Sequence, residues 1–422
     1  MLQVNFLRDN KERVLEGLKK RQFKNLELVD NAVAADDERK RIQFELDSQL
    51  SEINKISKEI GLLMKEGKKE EAESAKSKTA QYKESSKELQ SQLDVTEKAL
   101  LDILYQLPNI PNEQVKSGAS ADDNEIIYQS HDVEGLGEGA IPHWELAKKY
   151  NLIDFELGVK IAGAGFPVYL GKGARLQRAL VQYFLDKNVD KGYTEVNPPH
   201  VVNEASGFGT GQLPDKEGQM YYINEDNLYL IPTAEVPVTN LYRDVLFDEK
   251  DLPVKNTAFS QCYRREAGSY GAHVRGLNRL HQFEKVEIVR IEKPENSYAV
   301  LEEMVEHIKE ILTDLELPFR VLRLCGGDTG FAAAMTYDFE VWSAAQEMWL
   351  EVSSVSNFET FQANRLKCRY KGDGKSQLVH TLNGSAMALP RIMAALLENN
   401  QTAEGIKLPK KIAEYARFDL IS

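Results

Sequence analysis

Arg264 and Glu266 stand two residues apart in the stretch CYRREAGSYGAHVRGLNRLHQFEKVEIVRIE, which covers residues 262–292. Residues two apart in a β-strand point to the same side, so we expect these two side chains to share a face. An arginine fork can clamp a phosphate with two hydrogen bonds, and a neighbouring carboxylate can accept from an amino group. The pair therefore indicates a candidate nucleotide site, with a plain surface ion pair as the alternative.

Phe283 and Glu287 lie in the second half of the same stretch. The segments TAFSQCYRRE and RLHQFEKVEIVRI both hold aromatic and β-branched residues, with turn formers between them. This pattern predicts a β-hairpin with a long tip. Phe283 and Glu287 would then share a face about 13 Å apart along the second strand.

The elements around this hairpin are of both types. Amphipathic patterns predict helices at 174–188, 297–317 and 388–399, and strands at 192–202, 347–359 and 376–384. Regular β-α-β alternation is absent from the sequence, which argues against a parallel doubly wound sheet. We therefore predict an α+β fold with an antiparallel sheet flanked by helices.

The N-terminal part carries two heptad-like seams, which predict two helices that fold back on each other as an antiparallel coiled coil. At 1.5 Å per residue, about 28 residues per helix would give a rod of about 40 Å. The segment MKEGKKEEAES breaks the pattern between the seams. The seam positions are Ile42, Leu46, Gln49, Ile53, Ile56, Ile60 and Leu63 in the first helix, and Ala75, Thr79, Tyr82, Ser86, Leu89, Leu93, Thr96, Leu100 and Ile103 in the second.

Residues 106–125 contain two prolines, few apolar residues and many turn formers, which is typical of a linker. We therefore predict a helical arm over residues 1–110 with its coiled coil at about 36–104. A linker over 111–130 and a catalytic domain over 131–422 follow.

The net charge of the 422-residue chain is −13, which argues against broad non-specific binding to nucleic acid. Residues 1–110 hold 20 Lys and Arg against 21 Asp and Glu, so nearly all the acid excess lies further along the chain. Any polyanion should therefore prefer the N-terminal part. The three cysteines form no metal-ligand spacing, and neither a signal peptide nor a membrane span is predicted, so we expect a cytoplasmic protein without a membrane partner.

Several motifs together resemble the class II aminoacyl-tRNA synthetases and, within them, the seryl-tRNA synthetases. YRREAGSYGAHVRGL with HQFEKVE is similar to motif 2 of that class, GYTEVNPPHVV to motif 1 and LNGSAMALPRIMAALLEN to motif 3. IPTAEVPV resembles a serine-binding loop, and the helical arm resembles a tRNA-binding arm. The resemblance covers essentially the whole chain.

The resemblance implies activation of L-serine by ATP, followed by transfer to tRNA(Ser), with tRNA(Sec) as a second candidate acceptor, in a homodimer that uses Mg²⁺. It implies catalytic roles for Arg264, Glu266 and Arg391. Implied serine-binding residues are Thr233, Ala234, Glu235, Glu287, Thr381 and Ser385. Implied ATP-binding residues are Arg264, Arg265, Glu266, Phe283, Glu351, Val352, Ser353, Ser354 and Arg391, with Glu351 and Ser354 as metal ligands.

Some of these assignments have ordinary alternatives. Phe283 could be a core residue, and Ser385 could be the N-cap of the helix that follows it. Glu351 and Ser354 would lie on opposite faces of a straight strand, so shared metal ligation requires a bulge or a strand end between them.

Two other functions compete with this interpretation. A carrier-protein adenylate ligase would have little use for a long arm. A non-catalytic coiled-coil protein should have lost Arg264, Glu266, Glu287 or Arg391, and all four are present.

Overall fold

The computed structural model describes residues 1–133, 135–137, 139–267, 275–372 and 374–422. The chain forms two compact units. Unit 1 comprises residues 1–19 and 23–108, and unit 2 comprises residues 20–22 and 109–422.

Helices occur in both units, whereas the strands belong to unit 2. The helices are α1 (Val4–Asp9), α2 (Lys11–Lys20), α3 (Leu28–Lys65), α4 (Lys69–Leu104), α5 (His143–Lys149), α6 (Phe155–Ile161), α7 (Gly171–Asp190), α8 (Glu204–Thr210), α9 (Glu235–Asn240), α10 (Ser297–Asp314), α11 (Thr360–Leu366), α12 (Leu389–Asn399) and α13 (Lys410–Ala416). The strands are β1 (Glu125–Gln129), β2 (Ile153–Asp154), β3 (Val168–Tyr169), β4 (Thr194–Glu195), β5 (Val201–Asn203), β6 (Tyr222–Ile223), β7 (Leu228–Leu230), β8 (Leu246–Asp248), β9 (Val254–Tyr263), β10 (Gln282–Glu292), β11 (Phe319–Arg323), β12 (Met335–Ser343), β13 (Met348–Asn357), β14 (Arg369–Gly372), β15 (Lys375–Leu378), β16 (His380–Ala388), β17 (Ile406–Lys407) and β18 (Leu420–Ile421).

An eight-stranded sheet forms the centre of unit 2, in the order β1-β11-β12-β13-β16-β10-β9-β4. Seven of its strands pair antiparallel, and β4 pairs parallel with β9 at the edge. The predicted antiparallel α+β fold is therefore confirmed, as are the three helices predicted from amphipathic patterns. The segment 192–202 forms two short strands, because Pro198 and Pro199 cannot donate to a sheet ladder.

The central strand β10 is covered on both faces. Val286 and Ile288 belong to the large core that α7, α10 and α12 form against the sheet. Val289 and Ile291 belong to a second core with residues of α9 and α11. Such a strand holds its side chains rigidly, which suits it to carry polar groups of a binding site.

In unit 1, α3 and α4 form the predicted helical hairpin, with the turn at residues 66–68. Ile42 and Leu46 pack against Leu89 and Leu93, and Gln49 donates to the Ser85 hydroxyl at 3.0 Å. The helices have 38 and 36 residues, so each is about 55 Å long, longer than predicted. The difference arises mainly because α3 begins at Leu28, well before its heptad seam.

Several residues just after α4 are buried. Leu107 and Ile110 are buried, and the Asn109 side-chain amide donates to the carbonyls of Ala332 and Phe358 at 2.9 Å. A carboxamide that satisfies two buried carbonyls fixes this stretch to the chain around it. Within the described parts of the chain, no helix is both long and apolar enough to cross a bilayer.

Candidate active site

The predicted hairpin is formed by β9 and β10, which pair from Tyr263 with Gln282 to Val254 with Ile291. Residues 268–274 of its tip lie outside the described residues. The prediction that Arg264 and Glu266 share a strand face is wrong, because β9 ends at Tyr263 and Glu266 has a φ of +48°. The two side chains nevertheless line the same pocket.

A pocket of about 220 Å³ lies beside the start of β10. Its walls come from the hairpin, from β13 and from the junction between β16 and α12. The lining residues are Arg264, Glu266, Leu277, Asn278, Arg279, Leu280, Phe283, Lys285, Glu351, Val352, Ser353, Ser385, Ala388, Pro390 and Arg391. The four cationic side chains among them suit a phosphorylated ligand.

Arg264 is held in place while its terminal nitrogens stay available. Its Nε donates to the Pro232 carbonyl at 3.3 Å, and its guanidinium lies 5.3 Å from the centre of the Phe283 ring. Within the described residues, no hydrogen bond engages Nη1 or Nη2 of Arg264. The guanidinium is thus positioned to clamp an anionic group in the pocket.

Glu266 is paired with Arg279 by a short ion pair. The Glu266 side chain is only 12% exposed, so the arginine compensates much of its lost hydration. The second carboxylate oxygen can still accept from a ligand amino group.

Arg391 projects from the first turn of α12. Its Nε donates to the Asn278 carbonyl at 2.9 Å, and its Nη1 donates to the Glu351 carbonyl at 2.7 Å. Two backbone carbonyls from different segments therefore orient the guanidinium plane at the pocket. Phe283 and Arg391 both line this pocket, which therefore offers an aromatic ring and a second guanidinium to a ligand.

Glu287 is the buried carboxylate of β10, with 2% of its surface exposed. Burial raises its pKa, and the charge of Lys285 opposes that rise. The Lys285 ammonium lies 2.6 Å from Glu287 Oε2, which also accepts from the Thr233 hydroxyl at 3.1 Å. Phe283, Lys285 and Glu287 alternate along one side of the strand, so one strand face runs from an aromatic ring through a cation to an anion.

Glu235, at the start of α9, carries a second carboxyl in this region, which is partly buried. Burial and the charge of Glu287 raise its pKa to about 7. Gln362 donates to Glu235 Oε1 at 2.7 Å, and the Oε1 of Gln362 accepts from the Thr381 hydroxyl at 2.7 Å. The Thr381 hydroxyl is therefore linked to the Glu235 carboxyl through Gln362.

The remaining predicted residues are distributed unevenly around the site. Ser385 lines the pocket from within β16, so it is not the N-cap of α12, a position that Ala388 holds. Ala234 is fully buried before α9. Val352 and Ser353 line the pocket, whereas Arg265 is exposed and its backbone N–H donates to the Gln219 carbonyl at 2.8 Å.

The irregularity required for a shared metal site is present in β13. Glu351 pairs with Glu340 and Ser353 pairs with Phe339, so Val352 is an extra residue in a β-bulge. Beyond the bulge Ser354 pairs with Asp338, which places Glu351 and Ser354 on the same face. Their carboxylate and hydroxyl oxygens are hard ligands of the kind that Mg²⁺ prefers.

Asp338, which pairs with Ser354, adds an acidic side chain to this face. Its Oδ1 is buried and has no hydrogen-bond partner in the described residues, and burial raises its pKa well above the ordinary value. In the part of the chain that the structure describes, no group of three or more His, Cys, Asp or Glu side chains could hold a metal ion. Glu351 and Ser354 supply two oxygen atoms, and Mg²⁺ is ordinarily bound by one or two protein carboxylates together with water and phosphate oxygens.

Sequence reasoning missed several residues of this site, among them Lys285, Arg279 and Gln362. Lys285 falls between Phe283 and Glu287 on the same strand face, so the period of two could have identified it. Arg279 and Gln362 carried no comparable signal, because Glu266 is 13 positions from Arg279 and Glu235 is 127 positions from Gln362, so neither pair follows the period of two of a strand.

Two family models match the chain. The seryl-tRNA synthetase N-terminal domain matches residues 1–111, and the tRNA synthetase class II core domain (G, H, P, S and T) matches residues 221–400. Together they cover most of the chain, including the arm and the site just described.

Relatives and solved structures agree with these models. The chain is 50% identical to a serine–tRNA ligase of Salinibacter ruber over 421 residues, which span 99% of this chain and 98% of the relative. The crystal structure of the Pyrococcus horikoshii seryl-tRNA synthetase complexed with ATP has a TM-score of 0.91, with 32% identity over 100% of this chain and 99% of that one. The cytoplasmic serine–tRNA ligase of Naegleria fowleri, solved in complex with AMP, has a TM-score of 0.86 with 26% identity, over 100% of this chain and 99% of that one.

Proposed function

The chain belongs to the seryl-tRNA synthetase family, and from this we propose that it activates L-serine with ATP and transfers the serine to tRNA(Ser). The enzyme is thus a serine–tRNA ligase. Its fold is shared with a relative that was solved with ATP.

One observation carries the proposal, namely the order of side chains along β10. Phe283 and the cationic pocket lie at one end, and the buried Glu287 with Thr233 lies toward the other. An aminoacyl adenylate has a flat base at one end, a phosphate in the middle and an ammonium group at the other end. The strand presents a ring, a lysine and a carboxylate in that order.

At the serine end, Glu287 receives the ammonium group, and Thr233, Ala234, Glu235 and Ser385 form the rest of the serine site. The Thr233 hydroxyl and the Lys285 ammonium already hold Glu287 Oε2, which fixes the carboxylate before serine binds. Thr381 acts through Gln362, which orients Glu235.

At the nucleotide end, Phe283 and Arg391 sandwich the adenine ring, and Glu266 accepts from its amino group. A serine carboxylate oxygen then attacks the α-phosphorus, a new P–O bond forms, and the bond to the β-phosphate breaks with release of pyrophosphate. Arg264 and Lys285 stabilise the negative charge that grows on the α-phosphate. A terminal ribose hydroxyl of the tRNA subsequently attacks the seryl carbonyl, and AMP leaves.

Glu351 and Ser354 would hold Mg²⁺ on the face created by the bulge at Val352. Bound there, the ion would neutralise charge on the ATP phosphates. Arg391, whose Nη1 donates to the Glu351 carbonyl, orients this segment of β13.

Three further features belong to this proposal. The enzyme works as a homodimer, as the resemblance of residues 192–202 to motif 1 implies. It acts in the cytoplasm, which is supported by three buried free cysteines of the kind that persist in reducing compartments. It accepts tRNA(Sec) as a second substrate, which a charging assay with both tRNAs tests.

Pyrophosphate exchange across a panel of amino acids tests the activity. We expect ATP-dependent exchange with serine, and rejection of alanine by about 10⁴-fold, because buried groups that pair with the hydroxyl are then left unpaired. Equal exchange with serine and alanine would contradict the assignment of the pocket. Absence of exchange with every amino acid would contradict the proposed activity.

A further inference from the structure

A buried carboxylate that the proposed mechanism does not use, that of Glu398, lies in the last turn of α12. Its Oε1 accepts from the backbone N–H of His143 at 2.9 Å and from His143 Nδ1 at 2.7 Å. Its Oε2 accepts from the Ser343 hydroxyl and from the N–H of Ala345. Burial would raise the pKa of Glu398, but the hydrogen bonds from His143 and Ser343 keep it below its ordinary value. The Glu398 carboxylate is therefore ionised although it has no exposed surface, and its charge is stabilised by the groups that donate hydrogen bonds to it.

His143 connects Glu398 to the segment that precedes β10. The backbone N–H of Leu277 donates to His143 Nε2 at 2.9 Å, so Nε2 is the acceptor and Nδ1 carries the proton that bonds Glu398. Gly276, with a φ of +67°, allows this approach, since a Cβ there would lie 2.2 Å from His143 Nε2.

Gln346 forms a second link to the same segment. Its Nε2 donates to the Ser343 hydroxyl at 2.8 Å and to Glu398 Oε1 at 3.1 Å. Its Oε1 accepts from Asn278 Nδ2 at 2.7 Å. The side chain of Asn278 is thus fixed from the end of α12, while its carbonyl receives Arg391 Nε at 2.9 Å from the start of the same helix.

We propose that His143, Gln346 and Glu398 are positioning residues for nucleotide binding, which hold Leu277 and Asn278 so that Asn278 aligns Arg391 at the pocket. The inference rests on the proposed function, because that function assigns Arg391 to the adenine ring. Arg391 and Glu398 lie seven residues apart, about two helical turns. Hydrogen bonds from both ends of α12, direct or through His143 and Gln346, therefore fix Leu277 and Asn278. None of the three positioning residues lines the pocket itself.

The variant Gln346→Met tests the proposal, since it keeps the length of the side chain and removes the link to Asn278. We expect the KM for ATP in serine-dependent pyrophosphate exchange to rise about tenfold, because small displacements of a positioning group weaken ligand alignment. The KM for serine should stay within about twofold, since Gln346 has no contact with Glu287 or Thr233.

Asn399→Ala is the matched control. Asn399 Nδ2 donates to the Trp342 carbonyl at 2.7 Å, so this variant also breaks a hydrogen bond between the end of α12 and β12. It leaves Leu277 and Asn278 untouched. We expect a lowered Tm with an unchanged KM for ATP.

A double-mutant cycle with Arg391→Lys, which removes the Nε donor to Asn278, tests whether Gln346 acts through Asn278 on Arg391. Gln346→Met should add little to the KM for ATP in that background. A normal KM for ATP in Gln346→Met, or equal rises for ATP and serine, would overturn the proposal. If Gln346→Met does not fold, Ser343→Ala removes one partner of Gln346 and must show the same selective rise. Loss of the proposed function itself would appear separately, as a wild-type enzyme without serine-dependent exchange.

Discussion

At the scale of single residues, the side chains along β10 distinguish the two ends of the proposed adenylate. An aromatic ring lies at one end of the series and a carboxylate at the other. Phe283 and Glu287 could be placed from sequence, because a period of two puts them on one strand face. The hydrogen bond from Gln362 to Glu235 could not, since these residues are 127 positions apart. Local patterns therefore identify strand faces, whereas contacts that tune a carboxyl come only from the packing of distant elements.

Glu235 gives the proposed serine site a pH dependence, because burial and the charge of Glu287 raise its pKa to about 7. Below that pH the free enzyme carries a protonated Glu235, so the negative charge that supports Glu287 in attracting the serine ammonium is lost. We expect the KM for serine to be lowest above pH 8 and to rise about tenfold per pH unit below pH 7. Exchange kinetics between pH 6 and 8.5 would measure it.

The control for this prediction is Glu235→Gln, which cannot titrate. Its KM for serine should be higher than that of the wild type and nearly constant over the same range. The KM of the wild type for ATP provides an internal comparison and should not follow Glu235. A constant serine KM in the wild type would show that the charge of Glu235 does not contribute to serine binding.

At the scale of elements, the hydrophobic periodicity predicted the sheet, the long helices and the hairpin arm. The periodicity did not predict the direction of side chains at the ends and irregularities of elements, because single backbone angles determine that direction there. Glu266 leaves the strand direction with a φ of +48°, and Val352 inserts into β13 as a bulge, and neither event has a periodic signature. The bulge matters because it moves Glu351 and Ser354 to one face.

The bulge leads to a prediction about metal dependence. Glu351→Gln should raise the Mg²⁺ concentration for half-maximal pyrophosphate exchange about tenfold, because one anionic oxygen ligand is lost. Glu347→Gln, an exposed substitution just before β13, is the control and should leave the Mg²⁺ dependence unchanged. An identical Mg²⁺ requirement in Glu351→Gln and wild type would exclude Glu351 as a ligand.

At the scale of the whole molecule, the chain combines a near-neutral helical arm with a sheet unit that carries almost all of the acid excess. Every residue assigned to the adenylate lies in unit 2, at or beyond Thr233. The turn between α3 and α4 lies inside the predicted break in the heptad pattern, whereas the length of α3 was predicted only in part, because this helix begins at Leu28, before its heptad seam. The division of labour between tRNA binding and chemistry can therefore be tested by changing the arm alone.

A shortened arm should separate the two half-reactions. The hydrogen bonds of Gln49 with Ser85 and Ser86 mark a point where α3 and α4 are in register, so residues 51–84 can be replaced by a short Gly-Ser loop. The apolar contact of Ile42 and Leu46 with Leu89 and Leu93 remains below the cut.

Serine-dependent pyrophosphate exchange by this variant should stay within about twofold of the wild type, whereas charging of tRNA(Ser) should fall by about two orders of magnitude as phosphate contacts to the arm are lost. Charging by the intact enzyme should accordingly weaken with added salt more steeply than exchange does. The comparison requires a variant whose circular dichroism and Tm confirm that it is folded. Under that condition, a parallel loss of both half-reactions would tie the arm to the chemistry, and unchanged charging would show that the distal part of the arm does not bind tRNA.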